Sequence, residues 1–352
     1  MKIKVAVLDS DLEFLNRLTK IFQQKYADRI SLSIFSNEDT LYQNQRNNPA
    51  DIVLLEQTMK TAADKMPDKA AVGYLSDMPD ADMIDGIPAI CKYQKAEELY
   101  RMMLNLYAEK ASDVKLRAKK AGDIKVVLFT SVQGGCGTST AAAAYALRRV
   151  SVKKVFYLNL EKFGDSNLYF QGEGNLSFSD IIYSLKSRKG NLAIKLESVT
   201  RTDPSGVDFL HTCKNAYDMS ELTDEEAGIL IQEIMQSGKY EEIVIDISGD
   251  MTERMSMLMK DYADKIVYVA DGSRTGNGKF ERFCETVRVI EQRQNAEILD
   301  KTCLLYNRFS SRNGVQLTEA AVPVLGGLHR VEWLNERELA EEIAGKDIME
   351  RI

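Results

Sequence analysis

Tryptophan occurs once, histidine twice and proline six times in the 352 residues, and each scarcity closes a route. His211 and His329 lie in unrelated segments, so no nucleophile can be matched to a histidine base. The five cysteines (Cys91, Cys136, Cys213, Cys284, Cys303) are odd in number and far apart. No paired spacing suggests zinc or a disulfide framework, and a reducing cytoplasm is expected. Long apolar runs are missing too. The opening MKIKVAVLDSD offers only Val5–Leu8 before Asp9 interrupts, too short for a signal peptide, and nothing later approaches the ~18 to 20 apolar residues of a bilayer span. Positive charge is not in excess: a net charge of -7 gives no general attraction to nucleic-acid backbones or anionic lipid.

What is present is an ordinary globular composition, 44% hydrophobic and 28% charged, in a chain long enough for two or three cores. From Ile3 to about Lys110, short strand-like runs (IKVAVL, SLSIF, DIVLL, AVGYL, AICKY) alternate with helical periodicity such as LEFLNRLTKIF. Strands interleaved with helices imply a parallel sheet covered on both faces. The segment Tyr107–Asp123 is charged, poor in large apolar residues and ends near Gly122, as a helix tail and linker would. A second series, IKVVLFTS, VFYLNL, EEIVIDI, KIVYVA and TCLLYN, gives a second parallel sheet. The expected architecture is α/β: two doubly wound parallel-sheet domains over residues 1–110 and 124–352, joined by a linker at 111–123. Gly172–Asp203 resists assignment.

The strand IKVVLFTS runs through VQGGCGTST into the alanine-rich AAAAYALRR, a strand, glycine loop and helix that aims backbone N–H groups and a positive helix end at an anion. Gly134, Gly135 and Gly137 allow a tight path and close phosphate approach. Against G-x-x-x-x-G-K-[ST] the string fails twice, with Val132 for the first glycine and Thr138 for the lysine. Taken alone it could be a glycine turn capping a helix. The string resembles the deviant phosphate loop of MinD and ParA proteins, with Gln133 at the signature lysine, Thr138 at the second, and Ser139 keeping the Mg²⁺-ligating hydroxyl.

Other strand ends fit the resemblance in order. EEIVIDISG places Asp246, with Gly249 three residues on, where those relatives hold Mg²⁺ through water and sense the γ-phosphate. VFYLNLE places Asn159 and Glu161 where two aspartates usually stand, the second helping to orient the attacking water. TCLLYN places Asn307 where the superfamily reads the adenine edge. Each has an ordinary alternative as a strand-end cap or turn residue. Carried over residue by residue, the resemblance implies nucleotide contacts from Gln133, Gly134, Gly135, Cys136, Gly137, Thr138, Ser139, Thr140 and Asn307. It also implies metal contacts from Ser139 and Asp246, and a weak catalytic role for Glu161. The cofactors are then ATP and Mg²⁺. Without either lysine, transition-state charge is less well neutralised, so hydrolysis is expected to be slow or absent. Arg274, Lys279 and Arg308 are candidate replacements among which the sequence does not choose.

The first unit resembles the receiver domain of response regulators. VLDSD supplies Asp9 and Asp11, with Ser10 where the second acid of the usual pair would sit. In DIVLLEQTMK, Glu56 occupies the phosphoacceptor position, followed by Met59 and Lys60; its extra methylene should defeat aspartyl-phosphate chemistry. Ser76 and Lys92 match the hydroxyl and lysine that sense phosphate, and a standing Glu56–Lys92 contact is expected. The domain is read as an interaction platform that does not signal by phosphorylation.

An atypical receiver ahead of a MinD/ParA-like domain with a GGxGTST loop resembles the TadZ/CpaE family of localisation factors for tight-adherence (Flp-type) pilus assembly. The resemblance implies ATP binding, a homodimer, contacts with pilus and secretion-machinery proteins, and a cytoplasmic protein recruited to a pole or to the inner face of the membrane. The final ERELAEEIAGKDIMERI carries six acids and three basic residues, opposing direct membrane insertion. The competing readings are a ParA-like partition ATPase, disfavoured by the acidity, and a response regulator with an ATPase-fold output.

Overall fold

The computed structural model describes residues 2–59, 66, 69–79, 81, 83–110, 124–188, 190–310, 314–331 and 333–352. It contains two compact units, Met1–Leu116 with Tyr183–Val199, and Arg117–Ile182 with Thr200–Ile352. The expected linker at 111–123 lies outside the described residues. A stretch of the region that resisted assignment, Tyr183–Val199, groups with the first unit rather than with its sequence neighbours.

In the first unit the order is β1 (Ile3–Leu8), α1 (Leu12–Lys25), β2 (Ile30–Phe35), α2 (Glu38–Asn47), β3 (Ile52–Glu56), β4 (Ala71–Ser76), β5 (Met83–Ile84), β6 (Ile87–Cys91) and α3 (Ala96–Lys110). The sheet runs β2-β1-β3-β4-β6-β5, parallel except for the short β5, which pairs antiparallel with β6. Alternation along the central strands feeds two cores. Val5, Val7, Ile52 and Leu54 pack with Phe14, Leu18 and Met103 on one face, and Ala6, Leu8, Val53 and Leu55 with Leu41 on the other. The later helix α6 (Leu192–Val199) completes the first of these cores with Ile194. Polar contacts also fasten it: Lys195 Nζ donates to Asn105 Oδ1 at 2.5 Å, Tyr100 OH to Glu197 at 3.1 Å, and Arg29 pairs with Glu197.

The second unit contains β7 (Lys125–Ser131), α4 (Thr138–Arg149), β8 (Val155–Asn159), the start of α5 (Phe178–Ser187), β9 (Arg201–Thr202), β10 (Asp208–Phe209), α7 (Ala216–Glu221), α8 (Asp224–Gln236), β11 (Glu242–Ser248), α9 (Glu253–Met257), β12 (Lys265–Ala270), α10 (Arg274–Gln294), β13 (Thr302–Phe309), β14 (Val324–His329) and α11 (Glu336–Ala344). The strand order is β14-β13-β12-β7-β11-β8-β10-β9, with only β9–β10 antiparallel. β7 is central, flanked by β11 and β12, so the loop after it opens at the middle of the sheet's carboxyl edge, where open α/β sheets bind ligands. The alanines Ala141–Ala146 around Tyr145 are all fully buried, and their small side chains let α4 lie close under β7 and β11. Ala340, Ile343 and Ala344 of α11 join the same core.

The β13–β14 pairing is irregular. Tyr306 pairs with Gly327 and Phe309 with His329, so Asn307 and Arg308 of β13 stand opposite Leu328 alone. This is a bulge, and Arg308 within it has a left-handed φ of 55°.

Candidate functional site

The loop after β7 owes its path to Gly135 and Gly137, whose φ values of 75° and 85° lie in the left-handed region that glycine adopts without strain. A Cβ on Gly135 would enter open space, whereas one on Gly137 would lie 2.3 Å from Asn307 Nδ2. Gly137 is the N-cap of α4 and offers no side chain to its first N–H groups, which leaves that positive helix end for an anion. From beneath, the buried Cys136 thiol donates to Gln133 O at 3.1 Å and lies 3.4 Å from Val269 O and 3.3 Å from Thr138 Oγ1. From the flank, Asn307 Nδ2 donates to Cys136 O at 3.0 Å and Gly137 O at 3.3 Å, Arg308 Nη1 to Gly135 O at 2.8 Å, and Lys279 Nζ to Val132 O at 3.4 Å. The loop carbonyls are thus satisfied by side chains behind them. A cavity of about 860 Å³ lies over the loop, lined by Gly134, Gly135, Gly137–Thr140, Glu161, Asp250, Arg308, Arg330, Val331, Trp333 and Leu334 among others.

Beside the loop sits an acidic pair. Asp246 at the end of β11 is fully buried; Tyr157 OH donates to its Oδ2 at 2.9 Å, and its Oδ1 has no hydrogen-bond partner. Burial, reinforced by the charge of Glu161, pushes the Asp246 carboxyl well above the carboxylate range, with the Ser139 and Tyr157 hydroxyls working the other way. Glu161 is itself raised by burial, and Ser139 Oγ donates to it at 3.4 Å. A buried carboxylate oxygen lacking a partner, next to a hydroxyl and a second acid, suits a hydrated divalent cation, which would relieve both carboxylates. The described residues hold no cluster of three or more metal-ligating side chains, so such an ion would take its remaining ligands from a phosphate and water.

Most residues singled out from the sequence converge here: Gly134, Gly135, Gly137, Thr138, Ser139, Thr140, Glu161 and Asn307 all line the cavity with Gln133. Three do different work from that expected. Asn307 is buried and its side-chain N–H group donates to two loop carbonyls, so it braces the loop. Gly249, expected to sense phosphate, donates its N–H to Ser131 O at 2.8 Å, where a Cβ would come within 2.4 Å of the Ser131 carbonyl carbon. Gln133 turns its side chain away, its Oε1 accepting from Asp271 N–H at 3.4 Å against Gly276. Sequence reading missed Tyr157, although the β8–β11 register, Asp246 opposite Asn159, would have located it. It also missed Tyr169, whose hydroxyl lies 3.1 Å from Thr140 Oγ1.

The receiver-like pocket of the first unit is rearranged. Lys92 pairs with Asp77 at 2.9 Å and with the fully buried Asp9 at 3.6 Å. Burial opposes its charge, but Asp77 and Asp9 prevail and raise the ammonium to about 12. The expected Glu56–Lys92 ion pair does not form, because Glu56 turns to the loop after β1 and accepts from Ser10 N–H at 2.9 Å. Burial would raise the Glu56 carboxyl, yet the hydrogen bonds from Ser10 and Thr58 and the charge of Lys92 leave it lowered. Asp11 caps α1, accepting from Phe14 N–H at 2.9 Å, and Asp9 Oδ1 accepts from Asp11 N–H at 2.8 Å. Ser76 donates to Gln57 Oε1 at 3.0 Å. Lys60 lies outside the described residues.

Residues 1–108 match the family described as TadZ-like, receiver domain. The front domain is a TadZ-like receiver domain. No curated protein sequence matches the chain. Among solved structures, a ParA family ATPase from Chlorobium tepidum TLS superposes with a TM-score of 0.53 at 15% identity, over 65% of this chain and 96% of that one. A plasmid partition protein from Borrelia burgdorferi (TM-score 0.44, 19% identity, 62% and 97% covered) and the septum site-determining protein MinD complexed with Mg-ADP from Pyrococcus horikoshii OT3 (0.44, 20%, 62% and 86%) are also similar. At 15% identity the likeness to the Chlorobium protein gives the fold alone. The TadZ-like receiver domain is therefore joined to a domain of ParA-type fold, both built on α/β sheets as the sequence pattern predicts, and no helix among the described residues is long and apolar enough to cross a membrane.

Proposed function

We propose that the ParA-fold domain binds ATP with Mg²⁺ and hydrolyses it slowly or not at all, the nucleotide serving to hold a dimer. The TadZ-like domain then acts as a docking platform in a localisation factor for pilus-type secretion assembly. The observation that carries the reading is the coincidence, at one strand edge, of an open helix start preceded by left-handed glycines and a buried carboxylate oxygen, Asp246 Oδ1, with no protein partner. When bound, Mg²⁺ would supply the charge that neutralises the phosphates. Ser139 and Asp246 would hold it, Asp246 through water, and Glu161 would orient a water near the phosphate end. The chain places no lysine in the loop, so its own residues stabilise accumulating negative charge chiefly through backbone N–H groups, which supports slow turnover. The arrangement of Lys92, Asp9, Asp77 and Glu56 supports a platform without phosphotransfer: its cation is already neutralised within the domain.

Calorimetry of the full chain with Mg-ATP tests the binding, and light scattering with and without Mg-ATP tests the dimer. Uptake with a nucleotide-dependent doubling of mass is expected, abolished by Gly135→Asp, which sets a carboxylate in the open space where a phosphate would sit. No uptake at millimolar magnesium would overturn the reading. Acetyl phosphate should leave no adduct on the front domain.

A further inference from the structure

We infer that Arg308 is the cation that answers for the missing loop lysines: its guanidinium contacts the polyphosphate of a bound nucleotide within the same chain. The inference rests on the proposed nucleotide site and assigns that site's charge. In a regular strand, Asn307 and Arg308 would point to opposite faces of the sheet. The β13 bulge sets two residues opposite one on β14, and both side chains reach the phosphate loop, Asn307 at Cys136 O and Gly137 O and Arg308 at Gly135 O. Arg308 holds a φ of 55°, a strained position for a side chain of its size, which persists only where the surroundings fix it. The Nη1 contact with Gly135 O at 2.8 Å uses one of the five N–H donors of the guanidinium and anchors the group at the cavity wall beside Gly134–Ser139. The remaining donors suit two phosphate oxygens in the paired geometry that guanidinium favours.

The other named cations are placed differently. Lys279 reaches Val132 O and lines a separate groove with Met251 and Phe283. Arg274 begins α10 and is not among the residues lining the cavity. Arg330, the residue after β14, lines the same cavity and is the natural comparator.

The test is calorimetric titration of the full chain and of Arg308→Ala, Arg308→Lys and Arg330→Ala with AMP, ADP and ATP, each with Mg²⁺, alongside thermal melts without nucleotide. Arg308→Ala should weaken ATP roughly ten- to a hundredfold and AMP much less, flattening the gain in affinity with each added phosphate. Arg308→Lys should restore part of that gain. Equal loss for AMP, ADP and ATP would show that Arg308 only braces the loop and would overturn the inference, as would a gradient that survives in Arg308→Ala and collapses in Arg330→Ala. If the unaltered chain takes up no nucleotide, the site itself fails and the inference goes with it. Normal uptake by both the unaltered chain and Arg308→Ala would sink the inference alone.

Discussion

Asn307 donates from one side-chain nitrogen to the carbonyls of Cys136 and Gly137, at 3.0 and 3.3 Å, across some 170 residues of chain. The end of β13 and the glycine loop are thereby tied together. Asn307→Ala would leave Cys136 O short of a donor in a buried setting, Gly137 O keeping the Ala141 N–H, a cost of about 1–3 kcal/mol. The expected result is a lower melting temperature and weaker Mg-ATP binding in calorimetry. Unchanged values for both would show that the amide is incidental.

The two left-handed glycines should respond unequally to alanine. At Gly135 the new methyl enters open space and only the backbone conformation is penalised, by about 1 kcal/mol. At Gly137 the same conformational penalty is joined by a Cβ placed 2.3 Å from the Asn307 amide, so that side chain must move. Urea unfolding should show Gly137→Ala losing at least ~1 kcal/mol more than Gly135→Ala, and equal losses would refute the close approach.

Asp246 titrates high in the fold, raised by burial and by Glu161. A carboxyl whose folded value exceeds its unfolded value binds more protons when folded, so its effect on stability worsens as pH rises from the ordinary carboxylate range toward neutrality. Asp246→Asn keeps the shape and the Tyr157 hydrogen bond but removes that slope. Without divalent ions the variant should therefore be the more stable form at pH 8, by about 1–3 kcal/mol, and the advantage should vanish near pH 4. With Mg-ATP the order should reverse, because the variant loses a cation ligand. Parallel pH profiles for the two proteins would contradict the assignment.

In the front domain, Lys92 is the cation closest to a fully buried acid. Lys92→Met would leave Asp9 without it, and burial already raises that carboxyl, against the Asp11 N–H and the Lys92 charge. The destabilisation should reach about 3 kcal/mol at neutral pH and shrink on acidification, as Asp9 takes up a proton. Chemical denaturation at pH 7 and pH 5 checks the difference; a penalty independent of pH would mean that Lys92 contributes packing alone.

The strands of both sheets were legible because parallel strands buried on two faces read as continuous apolar runs, and the glycine loop because so few residue types tolerate its path. Spacing could place Asp246, Ser139 and Glu161 at strand and loop ends, and the structure brings them together. Spacing could not reveal how side chains turn. Asn307 and Gly249 sit at the expected positions yet bond to the backbone, since an unmet carbonyl beside them is as good a partner as a ligand. The bulge that redirects Arg308 leaves no trace in TCLLYNRF, whose composition suits an uninterrupted strand. Likewise, analogy pairs Glu56 with Lys92, whereas Ser10 N–H and Asp77 are the nearer partners. Helix α6 was hidden for another reason: eight residues are too few for periodicity to say which core they serve.

That helix gives the polypeptide an unusual route. The backbone passes between the two units three times, near Leu116, Ile182 and Val199. A single backbone cut at the first of these crossings would therefore sever one of three. The amino-terminal fragment would still be gripped by a helix belonging to the carboxyl-terminal piece, through Ile194 and the Glu197 contacts. Nicked protein should elute as a single species on gel filtration and separate into two bands only once denatured.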